Sequence, residues 1–437
     1  MRDVRRPGAR LRAPLAGAVL LSLVLAGCSG SDDEADPDSD GGQVKPARPV
    51  PVALQAAGLP EGPTKIGVVV SLTSAAGEGS QWRQAAEGAQ VAAYRFGLGD
   101  ADVEVVPAND GGTDQGADAA VRDLAEQGVA GIVLATSGTH VEGALEAAAD
   151  VGVPVLLPYE TPPAVDGADA WATGPDGSMV VSGLARALDV SGRQDPVLVD
   201  AGGGDIGEIS AVARIPLRAG DRARNVASRI AGLIASGEAD SVVVAGPASQ
   251  QATMVRALQG FAVNVPVLLT PDALSPVFAV DLADAGGSLA ADVVTVGEAA
   301  SDVAALRPST EGRAVAAYFS GLRAAANDPD LQDFFDGRRF ETVSDTADVR
   351  SHDAVVALVR AVEAAGSTDP GEVAATLGGL TLDGADGLGG PGLDFAGPTA
   401  ISRRDVVPLQ ATTQDPGLRP KSGGTGPRLF WFALPEQ

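Results

Sequence analysis

The 437-residue sequence predicts an α/β protein folded as two lobes with parallel sheets, a hinge and a cleft between them. Three observations carry this prediction. Short apolar runs without polar alternation recur along the chain, as strands buried on both faces require. Amphipathic helical stripes separate these runs, with short connections between them. The alternation ends near residue 157 and restarts at residue 196, so one chain holds two such units.

Taken in order, Ile66-Gly67-Val68-Val69-Val70 is the first buried-type strand. A Ser/Thr/Gly loop over 71–80 leads to a helix that stripes Trp82, Ala85, Ala86, Ala89, Ala93 and Phe96. A strand over Val103–Pro107, a loop over 109–116 and a helix bearing Ala117, Ala120, Val121 and Leu124 follow. Gly131–Ala135 and Pro154–Leu157 are strands on either side of a helix over Val141–Ala149. The second unit has strands at Pro196–Asp200, Ser241–Ala245, Pro266–Thr270 and Asp292–Val296, with helices over Asn225–Ala235 and Ala248–Gln259. Two long helices, Gly312–Ala326 and Val349–Ala365, come next. Asp369-Pro370-Gly371-Glu372 then opens another helix, because an Asp cap, a proline in the first turn and a glutamate after it reinforce one another. The end is strand-like at Val406–Ala411 and Leu429–Leu434.

The N-terminus has a different character. Five arginines precede an apolar run from Leu15 to Leu25, well short of the roughly 20 residues that span a bilayer. Leu25-Ala26-Gly27-Cys28 then matches the lipobox of bacterial lipoproteins, and Cys28 is the sole cysteine. Residues 1–27 therefore read as a lipoprotein signal peptide, with Cys28 as the lipidation site. Residues 28–63, acidic and then proline-rich, read as a disordered tether. At roughly 3.1 Å per residue it reaches at most ~110 Å. The expected location is the extracytoplasmic face of a cell membrane, held by the lipid anchor alone.

Removing 1–27 leaves 26 basic and 56 acidic residues. Such a surface repels nucleic acid and anionic headgroups, which excludes both as partners. With one acylated cysteine there is no intrachain disulfide, so apolar cores must hold the fold.

The motifs, in their order, resemble the type I periplasmic solute-binding proteins, in the leucine/isoleucine/valine-binding branch of ABC-transporter receptors. The residues that carry the likeness are Ile66-Gly67-Val68 through Ser74, Glu87-Gly88-Ala89, Asn109-Asp110-Gly111 and Gly131-Ile132-Val133. Thr136-Ser137-Gly138-Thr139, Gly152-Val153-Pro154-Val155-Leu156 and Ser351-His352-Asp353-Ala354-Val355 extend it. The resemblance implies two discontinuous Rossmann-like lobes: 64–174 with 298–398, and 175–297 with 399–437. It also implies capture of an amino acid or analogue in the cleft and delivery to an ABC transporter permease, with no cofactor and no metal.

Under the resemblance, seven residues are candidate ligand contacts. Ser137 and Thr139 lie between a strand end and a helix start, where they fit helix capping and ligand contact equally. Thr161 matches a position that offers a hydroxyl, and Tyr159 beside it either lines the cleft or covers the strand end. Ser74 and Trp82 belong to the first loop and helix start, and Trp82 fits the core stripe of its helix even better. Asp272 stands where amino-acid receptors carry the acid that pairs with an α-ammonium, and a turn aspartate is the equal alternative.

Two departures stand out. Between Asp200 and Leu217 there is too little chain for the helix usual in relatives, and Ala245-Gly246-Pro247 lacks an aromatic. Catalytic motifs are missing too. His140 and His352 have no Cys, His or carboxylate at metal-ligand spacing, and no Gly-x-Ser-x-Gly elbow supports a Ser137–His140 pairing. The sequence thus predicts a binding protein and not an enzyme. A ligand sensor or scaffold lipoprotein with no transport role is the alternative.

Overall fold

The computed structural model describes residues 50–203, 206–218, 222–290, 292–421 and 426–434. The expected signal peptide, Cys28 and the tether as far as residue 49 lie outside the described residues.

The first lobe opens with β1 (Thr64–Val70), α1 (Gly88–Gly97), β2 (Val103–Asn109), α2 (Asp114–Glu126), β3 (Ile132–Leu134), α3 (Val141–Val151), β4 (Val155–Leu157) and β5 (Ala170–Ala172). The strands form one parallel sheet in the order β2-β1-β3-β4-β5. The chain then crosses to the second lobe. There it forms α4 (Gly177–Val190), β6 (Pro196–Asp200), β7 (Ala213–Pro216), α5 (Ala223–Ala235), β8 (Ser241–Ala245), α6 (Ala248–Gly260), β9 (Val267–Leu269), α7 (Pro276–Asp284) and β10 (Val293–Glu298). It returns to the first lobe for α8 (Thr310–Asn327), α9 (Val349–Ala365), α10 (Pro370–Leu377) and the short hairpin of β11 (Thr381–Leu382) and β12 (Leu393–Asp394). A last crossing brings β13 (Val406–Thr412) antiparallel onto β10, and β14 (Phe430–Ala433) antiparallel onto β13. The second sheet runs β14-β13-β10-β9-β8-β6-β7.

Burial follows the sequence pattern. The strands β1, β3, β4 and β8 are apolar on both faces because helices cover both sides of each sheet. In lobe one, α1 and α9 pack on one face with Phe96 and Phe395, and α2 and α3 cover the other with Leu124 and Leu145. In lobe two, α5, α6 and α7 bury Ile230, Val255 and Phe278, while α4 buries Leu184 on the opposite face.

Six elements add to those expected: β5, α4, β7, α7 and the hairpin strands β11 and β12. β5 is three residues long, β7 carries Arg214 and Pro216, and α7 opens on Pro276. None of these presents a long periodic stripe. α4 does, at Met179, Val180, Gly183, Leu184 and Ala187, and the Asp176 carboxylate caps it by accepting from the Met179 N–H at 2.8 Å. Between β6 and β7 no helix occurs among the described residues. Ile206 and Ile209 fill that space, both buried against Leu198 and Leu268.

The expected tether needs correction at its C-terminal end. Leu54 is 2% exposed and sits in the lobe-one core, and its N–H donates to the Arg95 carbonyl at 2.9 Å. The Arg95 guanidinium in turn donates to the carbonyls of Val52 and Pro51 at 2.9 and 3.1 Å. Packing of Leu54 and satisfaction of a buried guanidinium fix this stretch. Composition alone, rich in Pro and Ala, does not reveal it.

Candidate functional site

Strand order fixes where a site forms. In lobe one β1 lies between β2 and β3, so the chain leaves the carboxyl ends of β1 and β3 in opposite directions and opens a crevice there. Lobe two repeats the arrangement with β6 between β7 and β8. The loops after β1, β4 and β6, the starts of α4 and α9 and the turn after β9 converge between the lobes.

They enclose a cavity of about 140 Å³. Trp82, Tyr159, Glu160, Thr161 and Arg350 line it from lobe one, and Ile206, Thr270 and Asp272 from lobe two. The Trp82 and Tyr159 rings stack at 4.5 Å, nearly coplanar at 3°. The Arg350 guanidinium carbon lies 4.6 Å from the Trp82 ring centroid and 4.5 Å from that of Tyr159. Arg350 pairs with Asp348 at 3.1 Å, and the Tyr159 hydroxyl donates to the same carboxylate at 2.9 Å. Burial works against the Arg350 charge, but Asp348, Tyr159 and Glu298 outweigh it and hold the guanidinium pKa above its ordinary value.

The acids behave differently. Burial, reinforced by the Glu160 charge and opposed by Arg350, pushes the Asp272 carboxyl up to about 7. Burial also raises Glu160, against hydrogen bonds from the Gly138 and Thr161 N–H groups. A larger cavity of about 370 Å³ lies behind Arg350, between the end of β10, α8 and the C-terminal strand. We take the smaller one as the candidate site, because it sits at the carboxyl edge of the lobe-one sheet and gathers four of the seven expected residues.

Those four are Trp82, Tyr159, Thr161 and Asp272. The other three stand beside the cavity, in the loops that shape it. The Ser137 hydroxyl accepts from the Gln81 amide at 3.0 Å, and the same amide reaches Asp272 at 3.5 Å. Thr139 gives its N–H (2.8 Å) and its hydroxyl (3.1 Å) to Glu78. Ser74 holds its own loop together through Ser80, to whose hydroxyl it donates at 2.8 Å. Neither Ser137 nor Thr139 caps α3, whose N-cap is His140 and has no side-chain cap bond.

Five contributors escaped the sequence reading: Glu78, Gln81, Glu160, Thr270 and Arg350. Glu160 was the most accessible of them, an acid between two expected contacts in Pro158-Tyr159-Glu160-Thr161. Gly138, at φ 116°, lets Glu78 come close, since a Cβ there would collide with its carboxylate.

Beneath these loops the ends of β1, β2 and β3 are tied by a buried polar cluster. Ser71 donates to Asp110 at 2.6 Å, and the hydroxyls of Ser71 and Thr136 lie 2.7 Å apart. His140 places Nε2 at 3.1 Å from Asp110 and Nδ1 at 3.3 Å from Glu78. Both ring nitrogens thus face carboxylates. Burial disfavours the imidazolium, but Asp110 and Glu78 overcome it and raise the His140 pKa. The set contains Ser, His and Asp, yet the Ser71 proton is committed to Asp110 and Ser71 is fully buried, so no substrate reaches it. Among the described residues no group of three or more His, Cys, Asp or Glu is arranged to hold a metal ion.

The comparisons with known proteins agree with this architecture. A family model described as periplasmic binding protein matches residues 63–410. No curated protein sequence matches the chain. Among solved structures, a leucine binding protein from Thermotoga maritima superposes with a TM-score of 0.56 at 18% identity, covering 80% of this chain and 96% of that one. An ABC transporter substrate-binding protein from Desulfitobacterium hafniense, in complex with Leu, gives 0.56 at 16% identity over 82% and 99% of the two chains. The branched-chain amino acid transporter substrate binding protein of Streptococcus pneumoniae, in complex with isoleucine, gives 0.56 at 15% identity over 85% and 99%. With two parallel-sheet lobes, a cleft at their carboxyl edges and a family match over most of its length, the chain belongs to the periplasmic binding protein family and has its type I fold.

Proposed function

We propose that this protein is a lipid-anchored receptor on the extracytoplasmic face of a cell membrane. It captures a small polar ligand, an amino acid or related compound, in the interlobe cleft and delivers it to an ABC permease. The observation that carries the reading is the cavity in which Trp82, Tyr159 and Thr161 of one lobe face Asp272 of the other. A small concave site with an aromatic wall and a few convergent polar groups suits a small molecule. The leucine- and isoleucine-bound structures of the same fold support the amino-acid class. Cys28 at the end of Leu25-Ala26-Gly27 supports the anchor. Among the described residues no helix is long and apolar enough to cross a membrane.

A thermal-shift panel of amino acids, amides, short peptides and small carboxylates tests the receptor role. A ligand at about 100 times its Kd adds about 2.7 kcal/mol of stability. A broad panel without a single shift would sink the reading. Metabolic labelling with a fatty acid tests the anchor, which Cys28→Ser should abolish. The second reading, a sensor or scaffold without transport, draws on the crossing from β6 to β7, which holds no helix among the described residues and leaves Ile206 as cleft wall.

A further inference from the structure

A ligand carboxylate needs free N–H groups or an unpaired cation, and the chain engages the N–H groups of Gly138, Thr139 and Thr161 and the Nε of Arg350 with its own carboxylates. Glu160 accepts from the Gly138 N–H at 3.2 Å through Oε2 and from the Thr161 N–H at 3.0 Å through Oε1. Glu78 takes the Thr139 N–H and hydroxyl. The cation lining the cavity, Arg350, is paired with Asp348. Toward the cavity the protein therefore presents two carboxylates, Asp272 and Glu160. An incoming carboxylate would meet two acids whose ionisation burial already opposes, so its charge adds to an unfavourable balance and finds no partner there. A second observation specifies what else the ligand carries. The indole of Trp82, 2% exposed and part of the cavity wall, has an Nε1–H with no acceptor among the described residues. A buried donor of this kind gains from an acceptor brought by a ligand.

We infer that the cleft selects a small organic cation with an uncharged acceptor and no carboxylate, of the amino-amide class. The inference rests on the receptor reading above and narrows it. The ammonium sits with Asp272 and Glu160, and the amide carbonyl supplies what Trp82 lacks. A free amino acid, which shares the ammonium, is disfavoured by its carboxylate alone.

L-Leucinamide, L-leucine and 4-methylpentanoate share one carbon skeleton and separate the two charges. In calorimetric titrations of the full chain at neutral pH, leucinamide should bind at least about tenfold tighter than leucine, and 4-methylpentanoate should give no binding heat. Glu160→Gln, which removes one of the two acids, should bring the leucinamide-to-leucine ratio to about threefold or less. Asp272→Asn should weaken leucinamide. The melting temperature of each apo variant is checked first; if one unfolds, the wild-type ratio and the other variant decide. Leucine binding as tightly as leucinamide would overturn the inference and leave the receptor reading standing. No binding of any of the three to the wild type would also overturn it, and the broad panel then judges the receptor reading separately.

Discussion

Lobe one and lobe two share a five-strand parallel order, β2-β1-β3-β4-β5 in one and β7-β6-β8-β9-β10 in the other, yet they are held by different means. Lobe one is cross-tied by buried ionisable groups. The His140 cluster joins three strand ends, Arg350 joins Asp348 to the aromatic pair, and Arg95 meets His352 and two N-terminal carbonyls. Lobe two relies on Val, Leu and Ala packing, with Gln251 as its main buried polar tie, bonded to the Gly246 carbonyl and the Thr270 hydroxyl. Helix starts differ as well. In lobe one Thr113, Ser309, Asp348 and Asp369 cap four helices with their side chains while α1 and α3 go uncapped; in lobe two only Asp176 of α4 does so, and α5, α6 and α7 have no side-chain cap bond. The difference teaches that lobe one supplies a preformed wall to the cleft, while lobe two offers a smoother surface with one acid.

The largest effect that could break this comparison is Arg350→Ala. Removing the cation leaves the half-buried Asp348 and Glu298 without its opposing charge, so stability should fall by about 3 kcal/mol in denaturant titrations. A loss below about 1 kcal/mol would mean the ties of lobe one carry little.

Glu87→Gln works in the opposite direction. Glu87 is 6% exposed, and burial, opposed by the Phe334 N–H, pushes its carboxyl up to about 8 with Oε2 unpartnered. A folded-state pKa above the unfolded value of 4.5 makes the folded protein bind the proton more tightly. Stability from this group is therefore full below about 4.5 and drains away as pH rises toward about 8. The glutamine variant should gain up to about 3 kcal/mol at neutral pH and nothing in acid, read from melting curves across pH.

In lobe two, Asp272→Asn should lower affinity for an ammonium ligand by about 1.5–3 kcal/mol without lowering the apo melting temperature. Unchanged affinity would remove Asp272 from the site. The smallest contrast concerns helix caps. Asp369→Ala at the start of α10 should cost about 1 kcal/mol, since its carboxylate accepts from the Gly371 and Glu372 N–H groups. Ser275→Ala before α7 should change stability by less than about 0.5 kcal/mol, because its buried hydroxyl has no partner among the described residues. Equal costs at the two caps would erase the distinction between the lobes.

The same distinction explains what could be read from the chain. Val349–Ala365 appears in the sequence with its observed ends because Asp348, a long apolar stripe and Gly366 mark it locally. The Asp369 cap behaves likewise. β7 and α7 lack such marks, and their place is set by packing against β6 and α6. In the site, the helical stripe favours Trp82 as a core residue over a contact. The structure buries it in its helix turn and stacks it on Tyr159 at the cavity wall. Arg350 was invisible for a different reason. Its partners Trp82, Tyr159 and Glu298 come from three distant segments, and no local spacing encodes such a meeting. Glu160 and Glu78 were passed over because a carboxylate on backbone N–H groups looks, in sequence, like any surface acid.

The anchoring of Leu54 and the carbonyls of Pro51 and Val52 on Arg95 has a mechanical consequence. Any tension arriving along the chain from its N-terminal side is borne by lobe one, at a fully buried guanidinium and a core leucine. β6 to β9 lie outside that load path. Tension from the N-terminal side therefore does not load lobe two directly.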